Sequence, residues 1–98
     1  MTANQSDTTD VIFKVFPEGD VIAFFPGLAA TSKSWQCLSY QHIGQHGPAD
    51  VSLISKLKKA TPEQYADLMD ELEGQGYTLR VVLRATQAHM RLRRQQID

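Results

Sequence analysis

The residues best equipped for chemistry lie in one short stretch, residues 39–50, which reads SYQHIGQHGPAD. It holds two of the three histidines of the chain, His42 and His46, which are four positions apart. That spacing brings two imidazoles to one face of a helix, where they bind zinc in some proteins. Gly44 lies between them and Gly47-Pro48 follows, so the stretch predicts a turn instead of a helix.

A metal site in this stretch lacks ligands. A fully extended chain would hold His42 and His46 about 13 Å apart, too far to share one ion. The further donors are Cys37, Asp50 and the distant His89, and no CxxC or HExxH spacing occurs. We therefore predict no metal and no cofactor, and keep as a weaker alternative a small enzyme or metal-binding protein that uses Cys37, His42 and His46.

The same stretch is dense in hydrogen-bonding side chains, and its glycines allow another backbone or a ligand to approach closely. Two interpretations remain open. In one, the polar side chains satisfy the backbone of a turn and Asp50 caps a helix. In the other, the stretch recognises a ligand or a protein partner through Ser39, Tyr40, Gln41, His42, Gln45, His46 and Asp50.

A second group of candidate residues is basic and lies near the C-terminus. The net charge is only −1, yet residues 61–76 contain five acidic residues and no basic one. Residues 77–98 contain five arginines against one aspartate. The arginines predict an alternative nucleic-acid surface, or they form ion pairs with the acidic segment of the same chain or of a second copy. They are Arg80, Arg84, Arg91, Arg93 and Arg94.

Three strands must position these groups. Residues 10–16 and 20–26 are rich in β-branched and aromatic residues, and Pro17-Glu18-Gly19 between them is typical of a hairpin turn. Residues 35–43 predict a third strand that ends at Gly44. Both faces of the first strand are largely apolar, which indicates that both are at least partly covered.

Helices follow the third strand. Residues 51–59 predict a short helix capped by Asp50, with a strand as the alternative. Thr61 is placed to cap a longer helix that has Pro62 in its first position and ends at Gly74 or Gly76. Its apolar face consists of Tyr65, Leu68, Met69 and Leu72. Residues 77–84 alternate in polarity and predict a returning strand.

The element order β-β-β-α-α-β predicts a small two-layer α+β domain, in which one main amphipathic helix packs on an antiparallel sheet. A chain of 98 residues has room for one core. We expect a disordered N-terminal lead over residues 1–9, a single domain over residues 10–84, and a basic, helical or frayed tail over residues 85–98. The exposed sheet edges of so small a domain favour a homodimer.

The composition limits the class of the protein and the cellular location that we expect for it. The hydrophobic and charged contents, 42% and 21%, are those of an ordinary globular domain. No apolar run approaches the roughly 20 residues that cross a bilayer, and the polar N-terminus lacks the features of a signal peptide. A single cysteine excludes an internal disulfide. We expect a cytoplasmic protein that does not associate with membranes.

Four segments carry a resemblance to a known family: VIFKVFPEGDVIAFFP, CLSYQHIGQHGPAD, KKATPEQYADLMDEL and GYTLRVV. Together they resemble a small family of hypothetical proteins of bacteria and mobile elements that has no assigned activity. The resemblance covers about residues 11–83 and is most specific in the SYxHxGQHGxAD loop and the ATPEEYA-type helix start. It implies one compact domain of bacterial or phage origin, with residues 39–50 as the hallmark, and it transfers no catalytic residue.

The sequence thus favours a small non-enzymatic binding module that recognises its partner, or a second copy, through residues 39–50. The alternative is a nucleic-acid or nucleoprotein accessory protein that uses the arginines.

Overall fold

The computed structural model of the chain describes residues 8–41 and 45–97. Over these residues the fold has six strands and three helices, and the predicted α+β class is confirmed. In chain order they are β1 (Thr8–Val15), β2 (Val21–Phe25), β3 (Gln36–Gln41), β4 (Gln45–Asp50), α1 (Ser52–Lys56), β5 (Lys58–Lys59), α2 (Pro62–Gly74), β6 (Thr78–Val81) and α3 (Gln87–Ile97).

Strand β1 organises the sheet. Strands β2, β3 and β4 follow it in order on one side, all antiparallel. The other side of β1 is shared: β6 runs parallel to its first half, and β5 pairs antiparallel with Lys14 and Val15. The parallel pairing is a departure from the expected all-antiparallel sheet, because periodicity within a strand does not reveal the direction of its partner.

The predicted hairpin between β1 and β2 is confirmed. Phe16 N donates to Asp20 O at 2.8 Å, and Gly19 N donates to Phe16 O at 2.9 Å. Gly19 has a φ of 105°, in the left-handed region that glycine adopts without the cost that a Cβ would impose. The residues of the turn are therefore enough to determine this hairpin.

Both faces of the sheet are buried. Against α2 the core contains Val11, Phe13, Val15, Ala23, Phe25, Tyr40, Ala60, Leu68 and Leu72. On the opposite face Ile12, Ile22, Phe24 and Cys37 pack against Ile54 of α1. A helix thus covers the second face as well as the first, which explains why neither face of the strand sequences is strongly polar.

Helix α2 begins with the expected cap. Gln64 N donates to Thr61 Oγ1 at 3.2 Å, and Thr61 N donates to Gln64 Oε1 at 2.8 Å, which completes a capping box. Pro62 occupies the first turn. The helix ends before Gly76, which has a φ of 109°. Tyr77 N then donates to Leu72 O at 3.3 Å and turns the chain toward β6.

The interpretation of residues 44–48 as a turn is wrong for the described part of that stretch. Gln45–Asp50 forms β4, which pairs with β3 along its whole length. A proline fits this strand because β4 is at the edge of the sheet. Residues 42–44 lie outside the described residues, as do residues 1–7 of the expected N-terminal lead. Thr8 and Thr9, assigned to that lead, belong to β1.

Segment 85–98 contains α3, which is anchored by a buried arginine. Arg93 is 1% exposed. Its guanidinium donates from Nη1 to Pro26 O at 2.6 Å, and from Nε and Nη2 to Ser34 O at 3.1 and 3.0 Å. Gln96 Nε2 donates to Gly27 O at 2.7 Å. These bonds fasten α3 to the loop between β2 and β3.

We expect the Arg93→Ala variant to lose about 2–4 kcal/mol of unfolding free energy, because it leaves buried carbonyls without donors and opens a cavity. The matched control is Arg94→Ala, whose side chain is exposed and whose loss should cost less than about 0.5 kcal/mol. Urea denaturation measures both. Equal midpoints for the two variants would contradict the anchoring role of Arg93.

Candidate functional site

The hairpin of β3 and β4 divides the predicted recognition residues between its two faces. Tyr40 lies directly opposite His46, and Ser39 lies directly opposite Gly47. Tyr40 belongs to the core under α2, so His46 shares that side of the sheet. Ser39 is on the other side, where its hydroxyl donates to Gly47 O at 2.9 Å. The stretch therefore does not form one converging site.

Tyr40 anchors the end of α2. Its side chain is buried, with 1% exposed, and its hydroxyl donates to the carboxylate of Glu71. The same oxygen accepts from Gln75 Nε2 at 2.8 Å. The bond to Glu71, followed by burial, raises the pKa of Tyr40. The phenol is therefore protonated at neutral pH and ties β3 to α2.

His46 is exposed, yet its ring is held in place. Its Nε2 lies 2.9 Å from the hydroxyl of Tyr77, and its ring centroid is 4.6 Å from that of Tyr40. Tyr77 in turn stacks on Phe25 at 5.1 Å with an interplanar angle of 9°. Aromatic contacts thus hold in place an imidazole that faces solvent, which makes it a preorganised polar group on the surface.

The remaining residues of the stretch have simpler roles. Asp50 Oδ1 accepts from Ser52 N at 2.9 Å, and this backbone bond lowers the pKa of Asp50. This contact is a local turn ahead of α1, whose N-cap residue is Val51 without a side-chain cap bond, so the predicted capping of the helix by Asp50 is wrong. Gln41 and Gln45 are opposite each other and exposed. His42 lies outside the described residues.

The geometry does not favour catalysis by Cys37. Its side chain is fully buried, and burial raises the pKa of the thiol to about 11. Alternation along β3 puts Cys37 on the opposite face from Tyr40, and hence from His46. Within residues 8–41 and 45–97, no three His, Cys, Asp or Glu side chains are grouped closely enough to hold a metal ion.

A polar cluster that sequence reasoning missed joins β1 to α3. Asp10 accepts from Arg80 Nε at 2.8 Å and from Arg80 Nη2 at 3.0 Å. Its Oδ2 is also 2.7 Å from His89 Nε2. The bonds from Arg80 are the main reason that the pKa of Asp10 is lowered, and the bond from His89 lowers it further.

His89 has the geometry of a helix cap. Its Nδ1 accepts from Thr86 N at 3.0 Å, while Thr86 Oγ1 accepts from His89 N at 3.3 Å. Because Nδ1 is an acceptor, the proton is on Nε2 and is donated to Asp10. The pattern Thr-x-x-His is a capping box with imidazole in place of a carboxylate. The Asp10–His89–Thr86 series, of which only His89 is buried, therefore stabilises the start of α3, although it resembles a hydrolase triad in composition.

The five arginines do not form a common surface. Arg80 is bonded to Asp10, and Arg93 is buried against backbone carbonyls. Arg84, Arg91 and Arg94 are exposed. Because a nucleic-acid surface needs clustered, accessible cations, the burial of Arg93 and the pairing of the exposed Arg80 with Asp10 argue against phosphate binding by this group.

The outer edge of β6 has no strand partner among the described residues. Val82 N donates to Val11 O at 2.9 Å, so the backbone groups of Val82 point toward β1. Successive residues of a strand direct these groups to alternate sides. Arg80 therefore also faces β1, whereas Leu79 and Val81 present N–H and C=O groups outward. Among the described strands, β6 pairs with β1 alone.

The opposite edge of the sheet is protected. Leu38 N donates at 2.9 Å to the oxygen of Leu28, the third residue after β2, so the Leu38 backbone points away from β4. Its partner Pro48 consequently has its nitrogen on the outer side of β4. Proline has no N–H, and a strand approaching this edge would find one donor missing. The two edges thus differ in their capacity to pair.

Comparisons of the chain with family models, with curated proteins and with solved structures find no match. In the part of the chain that the structure describes, no helix combines the length and the apolarity needed to cross a membrane. The geometry of the chain itself is therefore the basis for a functional proposal.

We expect Asp10→Asn to reduce the unfolding free energy by about 1–3 kcal/mol at pH 7, because charge-assisted bonds to Arg80 and His89 are lost. The pKa of Asp10 is lowered from 3.8 on folding. Its contribution is therefore complete above pH 3.8 and declines as the pH falls through the lowered pKa. The gap between wild type and variant should narrow below pH 3.8.

Urea denaturation at pH 2–7 measures this gap, with Asp20→Asn, in the exposed turn between β1 and β2, as the control. A gap that stays constant down to pH 2, or no gap at pH 7, would show that the ionised Asp10 carboxylate does not stabilise the folded protein.

Proposed function

We propose that the protein is a non-enzymatic protein-interaction module that associates edge to edge through β6, in the first instance with a second copy of itself. We also propose that the protein is cytoplasmic, which its composition supports. A bacterial or mobile-element origin is part of the same proposal, and the family resemblance supports it. The observation that carries the proposal is the outer edge of β6, which has no partner among the described strands.

The edge combines free backbone groups with exposed apolar side chains. Leu79 and Val81 direct their N–H and C=O groups outward, as the bond from Val82 to Val11 requires. Val81 is 37% exposed and Leu83, just beyond the strand, is 64% exposed. In strand addition, backbone bonds supply affinity and neighbouring side chains supply specificity. Both contributions are available at β6.

A second copy, related by a twofold axis, can pair with the outward backbone groups of β6. With a twofold axis at Arg80, antiparallel pairing sets Leu79 of each copy opposite Val81 of the other. These are two reciprocal pairs, and each exchanges two backbone hydrogen bonds. The two Arg80 side chains then lie opposite each other, but each is already bonded to its own Asp10, which reduces the repulsion between them.

The hairpin surface is a separate part of the proposal. In an edge-to-edge dimer, Gln41, Gln45 and His46 remain exposed at the far side of the sheet, where His46 is held by Tyr77. This surface is available for a further protein partner. The nucleic-acid alternative is not favoured, because Arg80 and Arg93 are engaged within the fold.

We expect wild-type protein to shift from monomer to dimer with rising concentration, and Val81→Pro to stay monomeric. Proline at position 81 removes the outward N–H while leaving the side of β6 that pairs with β1 intact, as edge strands permit. The matched control is Val81→Ala, which shortens the side chain but keeps the N–H and should still dimerise. Sedimentation equilibrium measures the association, and circular dichroism checks the fold of each variant.

A wild-type protein that stays monomeric up to millimolar concentration would contradict self-association. Dimerisation that persists in Val81→Pro and is lost in His46→Ala would move the interface from β6 to the hairpin.

A further inference from the structure

Strand β6 carries a charged side chain in the middle of its outer edge. Arg80 is directly opposite Asp10 in the pairing of β6 with β1, and 68% of the Arg80 side chain is exposed. Charged side chains on an edge strand normally prevent it from pairing with another strand, because the approaching strand meets the charge. The placement of the Arg80 guanidinium therefore decides whether this edge can pair.

The guanidinium of Arg80 is held toward β1, away from the outer edge. Its Nε and Nη2 donate to the two carboxylate oxygens of Asp10 at 2.8 and 3.0 Å, the bidentate geometry that fixes an arginine most firmly. Asp10 is itself held from a second side, because His89 Nε2 lies 2.7 Å from its Oδ2. The carboxylate thus keeps the positive charge on the side of β6 that already has a partner.

The twofold arrangement at Arg80 makes this placement important. Because Leu79 and Val81 exchange the backbone bonds between the two copies, the two Arg80 residues form a pair without backbone bonds. This is the closer kind of antiparallel pair, with Cα atoms about 4.5 Å apart. Like charges that are directly opposite each other in such a pair destabilise it. A counter-charge bonded to each arginine on its far side offsets this repulsion.

We propose that Asp10 makes the β6 edge available to a second copy, although a whole strand separates Asp10 from the interface. It draws the guanidinium of Arg80 toward β1 and neutralises its charge, so that the approaching strand meets a backbone with free hydrogen-bonding groups and apolar neighbours. Without Asp10, Arg80 would block the edge as charged residues of edge strands do. The inference rests on the proposed edge-to-edge association and gives the Asp10–Arg80 pair a role in it beyond stabilising the fold.

Sedimentation equilibrium of the Asp10→Asn variant at low ionic strength tests this role. We expect the Kd of the dimer to rise roughly fivefold relative to wild type, since the two arginines then face each other without a counter-charge. In about 0.5 M salt the difference should fall below about twofold, because the charges are screened. The matched control is Asp20→Asn, which makes the same change in net charge in the exposed turn between β1 and β2 and should leave the Kd within about twofold of wild type.

A second variant separates charge from folding stability. Asp10→Asn/Arg80→Gln lacks the ion pair as well, but it also lacks the charges that repel, so the Kd should return to within about twofold of wild type. Circular dichroism checks that each variant is folded. A wild-type dimer whose Kd is unchanged in Asp10→Asn, or a Kd that stays raised in the double variant, would overturn the role of Asp10 alone. A wild-type protein that stays monomeric would instead contradict the edge-to-edge association itself.

Discussion

The sharing of one edge of β1 between two strands is the constraint from which the rest of the architecture follows. Strand β6 takes the first half in parallel and β5 takes the second half antiparallel. Helix α2 must then cross the sheet between β5 and β6, which places its apolar side over Phe13 and Phe25. The interval between the two partners becomes a groove, and β6 becomes an edge without a further partner among the described strands.

Polar side chains act as anchors in this fold. A domain of this size buries limited apolar area, so charge-assisted bonds between distant segments contribute a large share of what fixes its helices. Tyr40 bonds the end of α2 through Glu71 and Gln75. His89 attaches α3 to β1, and Arg93 attaches it to the loop after β2. Residue types that suggest catalysis or phosphate binding in the sequence therefore largely maintain the tertiary structure.

The features that could be predicted from the sequence are those that depend on neighbours in the chain. The turn at Pro17–Gly19 and the cap at Thr61 are local, and both are confirmed. Strand β4 was missed because glycine and proline normally end a strand, and only its position at the sheet edge makes Pro48 acceptable. The burial of Arg93 and the pairing of Asp10 with His89 join residues 59 to 79 positions apart, which no local pattern encodes.

We infer an alternation along β6 between residues whose backbone pairs with β1 and residues whose backbone can pair with another chain. Amide hydrogen exchange, resolved by residue and measured in dilute protein, tests it most directly. We expect slow exchange at Arg80 and Val82, fast exchange at Leu79 and Val81, and protection of the latter two as the concentration rises. Uniform protection of all four amides in dilute protein, or no change at high concentration, would contradict it.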